Sequence, residues 1–105
     1  LGVVQPDLAK WGGLSKTVSL ARQIIASGKR YCPHYLGGGI GLVASAHALA
    51  AVGGDGMLEV DINANPLRSD LAGDLLSKRK GMACLGDAPG LGYEPDLEPL
   101  RKYRV

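Results

Sequence analysis

The sequence contains no phenylalanine, and aromatic residues of any kind make up only 5% of its 105 residues. It also has little excess charge, because 12 basic residues oppose 10 acidic ones and leave a formal charge of +2. No face-sized basic cluster is present, so nucleic acid is not expected as a partner. No apolar run reaches the length of a membrane span, so a membrane is not expected as a partner either.

Cysteine is scarce as well, and its two copies do not form a motif. Cys32 and Cys84 lie far apart in the sequence and lack the CxxC spacing of a zinc or redox site. Free thiols of this kind are typical of reducing compartments, where they pack as small apolar side chains. We therefore expect two buried, reduced cysteines in a cytoplasmic protein.

Glycine and apolar residues are what the chain has in quantity. Sixteen glycines cluster at loops that follow the apolar runs, and 46% of the residues are hydrophobic. This composition is typical of a globular protein, and the length allows one domain at most. The chain begins without Met, inside the apolar run 1–5, which predicts a C-terminal fragment of a longer protein.

Short apolar runs alternate with helical patterns over the first 60 residues. The runs are predicted to be buried strands, and the stretches between them, with apolar residues at steps of three and four, are predicted to be helices. The predicted strands are 1–5, 30–32 and 57–60, and the predicted helices are 14–27 and 40–52. This β-α-β-α-β order is typical of part of a (β/α) barrel or of an open parallel sheet.

The alternation ends after Asp61, where an irregular loop begins. The elements expected beyond it are a short helix at about 69–76, a solvated basic end at 77–80 and a last short helix capped by Asp96. Asn63, Asn65 and Arg68 follow the third predicted strand and could touch a substrate. Holding the irregular loop in place is the favoured interpretation for all three.

Three residues capable of acid–base chemistry stand at the ends of the predicted strands. Asp7 follows the first strand, His34 follows the second, and Glu59 lies in the third, at intervals of 27 and 25 residues. Such an interval accommodates one strand, one helix and two loops. Because parallel strands joined by right-handed crossovers end on the same side of a sheet, these side chains are expected to converge on one cleft. We expect catalysis in that cleft.

The residues around these positions resemble a known family. Residues 5–14 read Q-P-D-L-A-K-W-G-G-L, which resembles the P-D-x-x-K-x-G-G motif at the sixth strand of the mandelate racemase/muconate lactonizing enzyme family of the enolase superfamily. The P-H pair ending at His34 and the L-E-V-D run around Glu59 are similar to the family's seventh and eighth strand ends. The P-G-L-G-Y run at 89–93 resembles the family's terminal segment. The resemblance covers essentially the whole chain.

For the fold, the resemblance implies an α/β structure that is the C-terminal part of a (β/α)7β TIM-like barrel. Three βα-type units plus an irregular C-terminal tail would make up the chain. Residues 1–80 would form the partial barrel, and residues 81–105 would form a tail that packs back on a capping domain absent from this sequence.

For the site, the resemblance implies that His34 is the general base that removes or returns the proton α to a substrate carboxylate. Asp7 would hydrogen-bond the imidazole and fix its tautomer. Glu59, held protonated, would donate a hydrogen bond to the substrate carboxylate as it becomes an enediolate. A histidine suits the first role because it works near neutral pH and a neighbouring carboxylate raises its basicity. Asp61 shares a strand face with Glu59 and could serve instead, although the family's register favours Glu59.

Two further residues are candidate substrate contacts. Lys10 could line the mouth of the site or simply pair with a carboxylate, and both interpretations stay open. Tyr35 directly follows the expected base. His47, by contrast, lies inside an apolar helix and is expected to be a packed, hydrogen-bonded histidine with no part in the site.

The resemblance also implies Mg²⁺ as the cofactor, although the family's metal ligands stand on the third, fourth and fifth strands, which this sequence lacks. The parent would be an acid-sugar dehydratase, racemase or cycloisomerase, acting on a small carboxylate such as a sugar acid and forming a homo-oligomer. The chain alone would be inactive. The alternative is a non-catalytic barrel remnant, or a structural or assembly domain.

Overall fold

The computed structural model describes residues 1–76 and 81–105 as a small α/β unit. In chain order the elements are β1 Val3–Val4, α1 Gly13–Ala26, β2 Arg30–Tyr31, α2 Gly39–Val52, α3 Pro66–Ser69, and two 3₁₀ turns at Gly73–Leu76 and Glu98–Tyr103. The basic end predicted at 77–80 lies outside the described residues. Both long helices begin within one residue of their predicted starts.

The two strands pair in parallel, with Val3 opposite Arg30 and Val4 opposite Tyr31. Pairing continues beyond the strands, since the amide of Cys32 donates to the carbonyl of Val4 at 3.2 Å. Helix α1 forms the crossover between them and packs against α2. The carboxyl ends of β1 and β2 therefore lie side by side, as expected for a βαβ unit.

Two apolar clusters hold the helices to the rest of the chain. The first joins α1 to β2 through Ala21, Ile24 and Tyr31, all of them buried. The second cluster joins α2 to the 3₁₀ turn at Gly73–Leu76 and to the C-terminal region. Its buried members are Leu42, Val43, Ala46 and Leu75, and the residues of the C-terminal region packed against them are Leu85, Leu91 and Tyr93. The C-terminal region is thus tied to α2. In the part of the chain that the structure describes, no helix is long and apolar enough to cross a membrane.

The third predicted strand is not a strand among the described residues. Residues 57–60 form no ladder with β2, because the amide of Met57 donates to the Sγ atom of Cys32 at 3.4 Å and not to a backbone carbonyl. The segment nevertheless lies against β2, since a Cβ atom on Gly56 would clash with the carbonyl oxygen of Tyr31. An amide–thiol hydrogen bond and close backbone packing therefore take the place of the expected ladder.

Two smaller expectations are also corrected. The helix predicted at 69–76 is split in two, because Gly73 has a φ of +54° that no α-helix accommodates. Its first part, α3, begins earlier than predicted, at Pro66. Cys32 is buried as expected, but Cys84 is exposed in this chain, and both cysteines are free.

Candidate active site

His34 stands where β2 ends, next to the end of β1. Its amide donates to the carbonyl of Pro6 at 3.3 Å, which continues the strand pairing by two residues. Pro6 directly precedes Asp7, so the imidazole and the first carboxylate leave neighbouring strand ends. The His34 side chain is 36% exposed, so it is held by the fold yet open to a small molecule.

The nearest carboxylate to His34 belongs to Glu59. The Nδ1 atom of His34 lies 2.7 Å from Oε2 of Glu59, and the Glu59 side chain is 32% exposed. The amide of Tyr35 donates to the same oxygen at 3.0 Å. Two donors therefore converge on one carboxylate oxygen, provided that Nδ1 carries the proton. In that tautomer Nε2 of His34 is the basic nitrogen, as a general base requires.

Asp7 has different partners. Its Oδ1 atom accepts the amide of Ala9 at 2.8 Å, and its Oδ2 atom lies 3.2 Å from Nζ of Lys10. The residue is buried, with 8% exposure. Within residues 1–76 and 81–105, no hydrogen bond joins Asp7 to His34. The expected Asp–His hydrogen bond is thus replaced here by the contact between His34 and Glu59, while Asp7 stays one residue beyond the carbonyl that binds His34.

Lys10 and Tyr35 lie beside these groups. Of the two interpretations left open for Lys10, pairing with a carboxylate is the one seen, although its side chain is 74% exposed and its ammonium faces solvent. The ring of Tyr35 packs against the backbone of Gly37 and Gly41 and against the α2 cluster. The contact of Tyr35 with Glu59 is therefore made by its backbone amide and not by its ring.

Asp61 is turned away from His34 into its own loop. Its Oδ1 atom accepts the amide and the side-chain amide of Asn63, at 3.0 and 2.8 Å, and its Oδ2 atom lies 3.4 Å from Nη1 of Arg68. The backbone hydrogen bond from Asn63, and to a smaller degree the Arg68 guanidinium, lower the pKa of the Asp61 carboxyl below its ordinary value. Of the two acids on this segment, Glu59 is the one that meets His34.

The second histidine is a structural residue, as expected. Nε2 of His47 lies 3.1 Å from the carbonyl oxygen of Leu91 and ties α2 to the C-terminal region. Arg68 also matches the favoured interpretation, since its guanidinium is buried and bonded within the loop. The sequence does not predict the contacts of the Tyr35 amide and the Cys32 thiol. Any residue type can supply a backbone donor, and a lone cysteine is usually a packed core residue.

A metal site is not formed by these residues alone. Over residues 1–76 and 81–105, no group of three or more His, Cys, Asp or Glu side chains is placed to hold a metal ion. Glu59 and Asp7 are engaged by Tyr35, His34, Ala9 and Lys10. The described residues therefore do not fit Mg²⁺.

Fold and site together define an α/β protein that carries acid–base side chains at the carboxyl ends of adjacent parallel strands. Comparison with known families gives the particular group: residues 1–99 match the family described as enolase C-terminal domain-like, and the chain belongs to it. The family's domain is a TIM barrel, so the βαβ unit seen here is part of such a barrel. The resemblance noted in the sequence is confirmed.

Three relatives show the range of proteins that this chain is similar to. It is 30% identical over 111 residues to a D-galactarolactone cycloisomerase of Agrobacterium fabrum, covering 98% of this chain and 29% of the relative. It is 31% identical over 91 residues to an arabinonate dehydratase of Saccharolobus solfataricus, covering 87% of this chain and 24% of the relative.

The third relative is a solved structure, that of a mandelate racemase/muconate lactonizing enzyme from Bordetella bronchiseptica RB50. It is 58% identical to this chain and superimposes with a TM-score of 0.88 over 97% of the chain and 29% of its own length. This chain thus spans less than a third of each relative. The relatives are enzymes, as their names state.

Proposed function

We propose that this chain is the C-terminal catalytic part of a longer enolase-superfamily enzyme, contributing its last three βα-type units and tail. The enzyme removes the proton α to the carboxylate of a sugar acid. The observation that supports this most is the convergence of His34 and Glu59 at 2.7 Å beside the ends of two parallel strands, in a chain of this family. The relatives named above include a cycloisomerase and a dehydratase.

In the proposed step Nε2 of His34 takes the α-proton, and the C–H bonding electrons move into the carboxylate to give an enediolate. A protonated Glu59 donates a hydrogen bond to a carboxylate oxygen as charge builds there, which lowers the barrier. In racemisation an acid from the rest of the longer protein gives a proton to the opposite face, and His34 later releases its own proton to solvent. In dehydration the proton on His34 passes to the β-hydroxyl, which departs as water.

Asp7 is proposed to act on His34 from the neighbouring strand end. When the imidazole takes the proton it becomes a cation, and a buried carboxylate close by favours that charged form. The hydrogen bond from the His34 amide to Pro6 supports this, because it places Asp7 one residue from the strand contact. Binding of a substrate carboxylate between His34 and Glu59 would free Nδ1 to turn toward Asp7.

Substrate contacts and the metal complete the proposal. The exposed ammonium of Lys10 is proposed to bind a substrate oxygen, and the amide of Tyr35 is proposed to hold the Glu59 carboxyl group against the substrate. Mg²⁺ is proposed to be held by parts of the longer protein outside these 105 residues, and no step above is derived through it. The longer protein is further proposed to be a homo-oligomer in the cytoplasm.

A chimera tests this function directly. The matching segment of the Bordetella bronchiseptica protein is replaced by this chain, since 58% identity and a TM-score of 0.88 make the two segments interchangeable in shape. The chimera and the unmodified protein are then given a panel of sugar acids and lactones that includes arabinonate and galactarolactone, in D₂O with Mg²⁺. Deuterium at the α-carbon or in the product is measured by NMR.

The proposal expects the chimera to label the same substrate as the unmodified protein. An active unmodified protein beside a folded but inactive chimera would contradict the proposal. That outcome would favour the alternative, a non-catalytic barrel remnant or assembly domain.

A further inference from the structure

The segment that carries Glu59 is held at its two ends. Within the described residues it has no ladder hydrogen bonds, so its position depends on the contacts that flank it. Upstream, the amide of Met57 is bonded to Cys32, and Gly56 lies against the carbonyl of Tyr31. Downstream, the chain is held by Asp61, two residues beyond Glu59.

The downstream contact is made by a buried arginine. Nη1 of Arg68 lies 3.4 Å from Oδ2 of Asp61, and Nη2 donates to the carbonyl oxygen of Asn63. The Arg68 side chain is only 7% exposed, and that of Asp61 is 15% exposed. A buried guanidinium is costly unless its donors are satisfied and its charge is paired, and Asp61 supplies the opposite charge. The arginine therefore holds the chain just after Glu59 at two points, the side chain of Asp61 and the backbone carbonyl of Asn63.

The helix that carries Arg68 also touches the loop that follows His34. A Cβ atom on Gly38 would stand 3.4 Å from the carbonyl oxygen of Leu67, the residue before Arg68. The backbone at Leu71 lies closer still to Gly39, where α2 begins. Arg68 thus stands on an element packed against the His34 loop while its side chain holds the Glu59 segment.

We propose that Arg68 is a positioning residue that sets the distance between Glu59 and His34 by bridging Asp61 and Asn63. This inference deepens the proposed function and depends on it. A direct substrate contact is disfavoured because the guanidinium is buried and bonded at both Nη atoms. Its effect is expected on the rate of the chemical step, where a misplacement of about 1 Å can cost about 100-fold.

The test uses Arg68→Lys in the chimera with Mg²⁺ present. A lysine keeps the charge but offers a single point donor in place of the planar guanidinium, so it cannot hold both partners in this geometry. We expect kcat for α-deuterium labelling, per folded protein, to fall about tenfold or more while KM stays within about twofold. The matched control is Arg30→Lys, which changes an exposed Arg–Asp pair at the other end of β2 and should leave both constants within about twofold.

A second variant, Asp61→Asn, tests the positioning role of Arg68 if Arg68→Lys does not fold. Asp61→Asn keeps an acceptor oxygen for Arg68 but removes the charge, and it should also lower kcat more than it raises KM. Unchanged kcat in a folded variant would overturn the proposal, and so would a rise in KM alone, which would assign Arg68 to substrate binding. An inactive parent chimera would instead count against the proposed function and is recognised before any substitution is made.

Discussion

The Nδ1 atom of His34 and the Oε2 atom of Glu59 lie 2.7 Å apart, although 25 residues separate them in the sequence. The pair joins a histidine fixed by strand pairing to an acid on a segment that forms no ladder hydrogen bonds with any part of the chain that the structure describes. The relative position of these two groups is thus set by contacts around the second segment. It is the feature on which the proposed chemistry depends most.

Glu59→Gln in the chimera should abolish most activity and spare the fold. Glutamine keeps a carbonyl oxygen for the Tyr35 amide but cannot serve as a carboxylate or a carboxylic acid toward substrate. Because an amide is a much weaker acid than a carboxylic acid, we expect α-deuterium labelling to fall about 100-fold or more, the usual cost of losing a donor to a developing oxyanion. Asp55→Asn, at an exposed carboxylate, is the control, and equal rates in the two variants would remove Glu59 from the site.

Lys10→Met should weaken substrate binding with little effect on stability. The Lys10 ammonium is exposed, so its pair with Asp7 contributes about 0–1 kcal/mol, and Asp7 keeps its hydrogen bond from the Ala9 amide; the melting temperature should hardly move. If the Lys10 ammonium binds a substrate oxygen, KM should rise several-fold at nearly constant kcat. Steady-state kinetics of the chimera measures both, with Lys29→Met as the control; an unchanged KM would leave Lys10 as a partner of Asp7 alone.

The long helices could be predicted from the sequence to within one residue, because three- and four-residue spacing of apolar side chains encodes a helix facing a core. The third strand could not. Alternation indicates which side chains are buried but does not name the hydrogen-bond partner, and here the Met57 amide is bonded to the thiol of Cys32. Likewise the sequence predicts a helix over 69–76 that would run through Gly73, whose positive φ interrupts it.

The site could be predicted as a set of residues but not as a set of pairs. Asp7, His34 and Glu59 were found from their places at strand ends. Which carboxylate contacts the imidazole depends on loop geometry, and the spacing of residues in the sequence does not determine that geometry. The local ion pair with Lys10 also competes with His34 for the Asp7 carboxylate. The role of the Tyr35 amide has no sequence signal at all.

Tyr31→Phe should stabilise the chimera and change its response to alkali. Within residues 1–76 and 81–105 the buried Tyr31 hydroxyl has no hydrogen-bond partner, and such a group costs about 1–3 kcal/mol. Burial raises the pKa of Tyr31 to about 12 from 10.0, so the stability linked to its neutral form is complete below pH 10 and is lost as pH rises toward 12. Between pH 8 and pH 12 the melting temperature should fall less in the Tyr31→Phe variant than in the chimera that keeps Tyr31. Parallel curves would contradict this.

Asp61→Asn should remove part of the acid sensitivity of the fold. The folded-state pKa of Asp61 is lowered, mainly by the Asn63 backbone amide. The stability that the ionised Asp61 carboxylate adds is therefore present above its unfolded-state pKa of about 4 and is lost as pH falls through its folded-state pKa. Melting curves between pH 2 and 6 should show a smaller pH dependence in the variant. An unchanged dependence would mean that the Asp61 carboxylate does not stabilise its loop.

The 105-residue chain on its own should associate or fold poorly. Large apolar side chains are exposed over much of its surface; they include Leu1, Met57, Ile62, Trp11, Met82 and Leu97. In an assembled barrel such surface would be covered, and uncovered it promotes aggregation, as unpaired strand edges do. Analytical ultracentrifugation and thermal melting check this. A monomer with a sharp cooperative transition would contradict it.

The most direct measurement of the central claim is α-deuterium labelling by the chimera with each of its two histidines from this chain replaced in turn. His34→Asn should reduce labelling to background while circular dichroism and melting temperature show an intact fold. His47→Gln, at the histidine bonded to Leu91, should retain the rate per folded protein. Undiminished labelling in the folded His34→Asn protein would show that this imidazole does not move the proton.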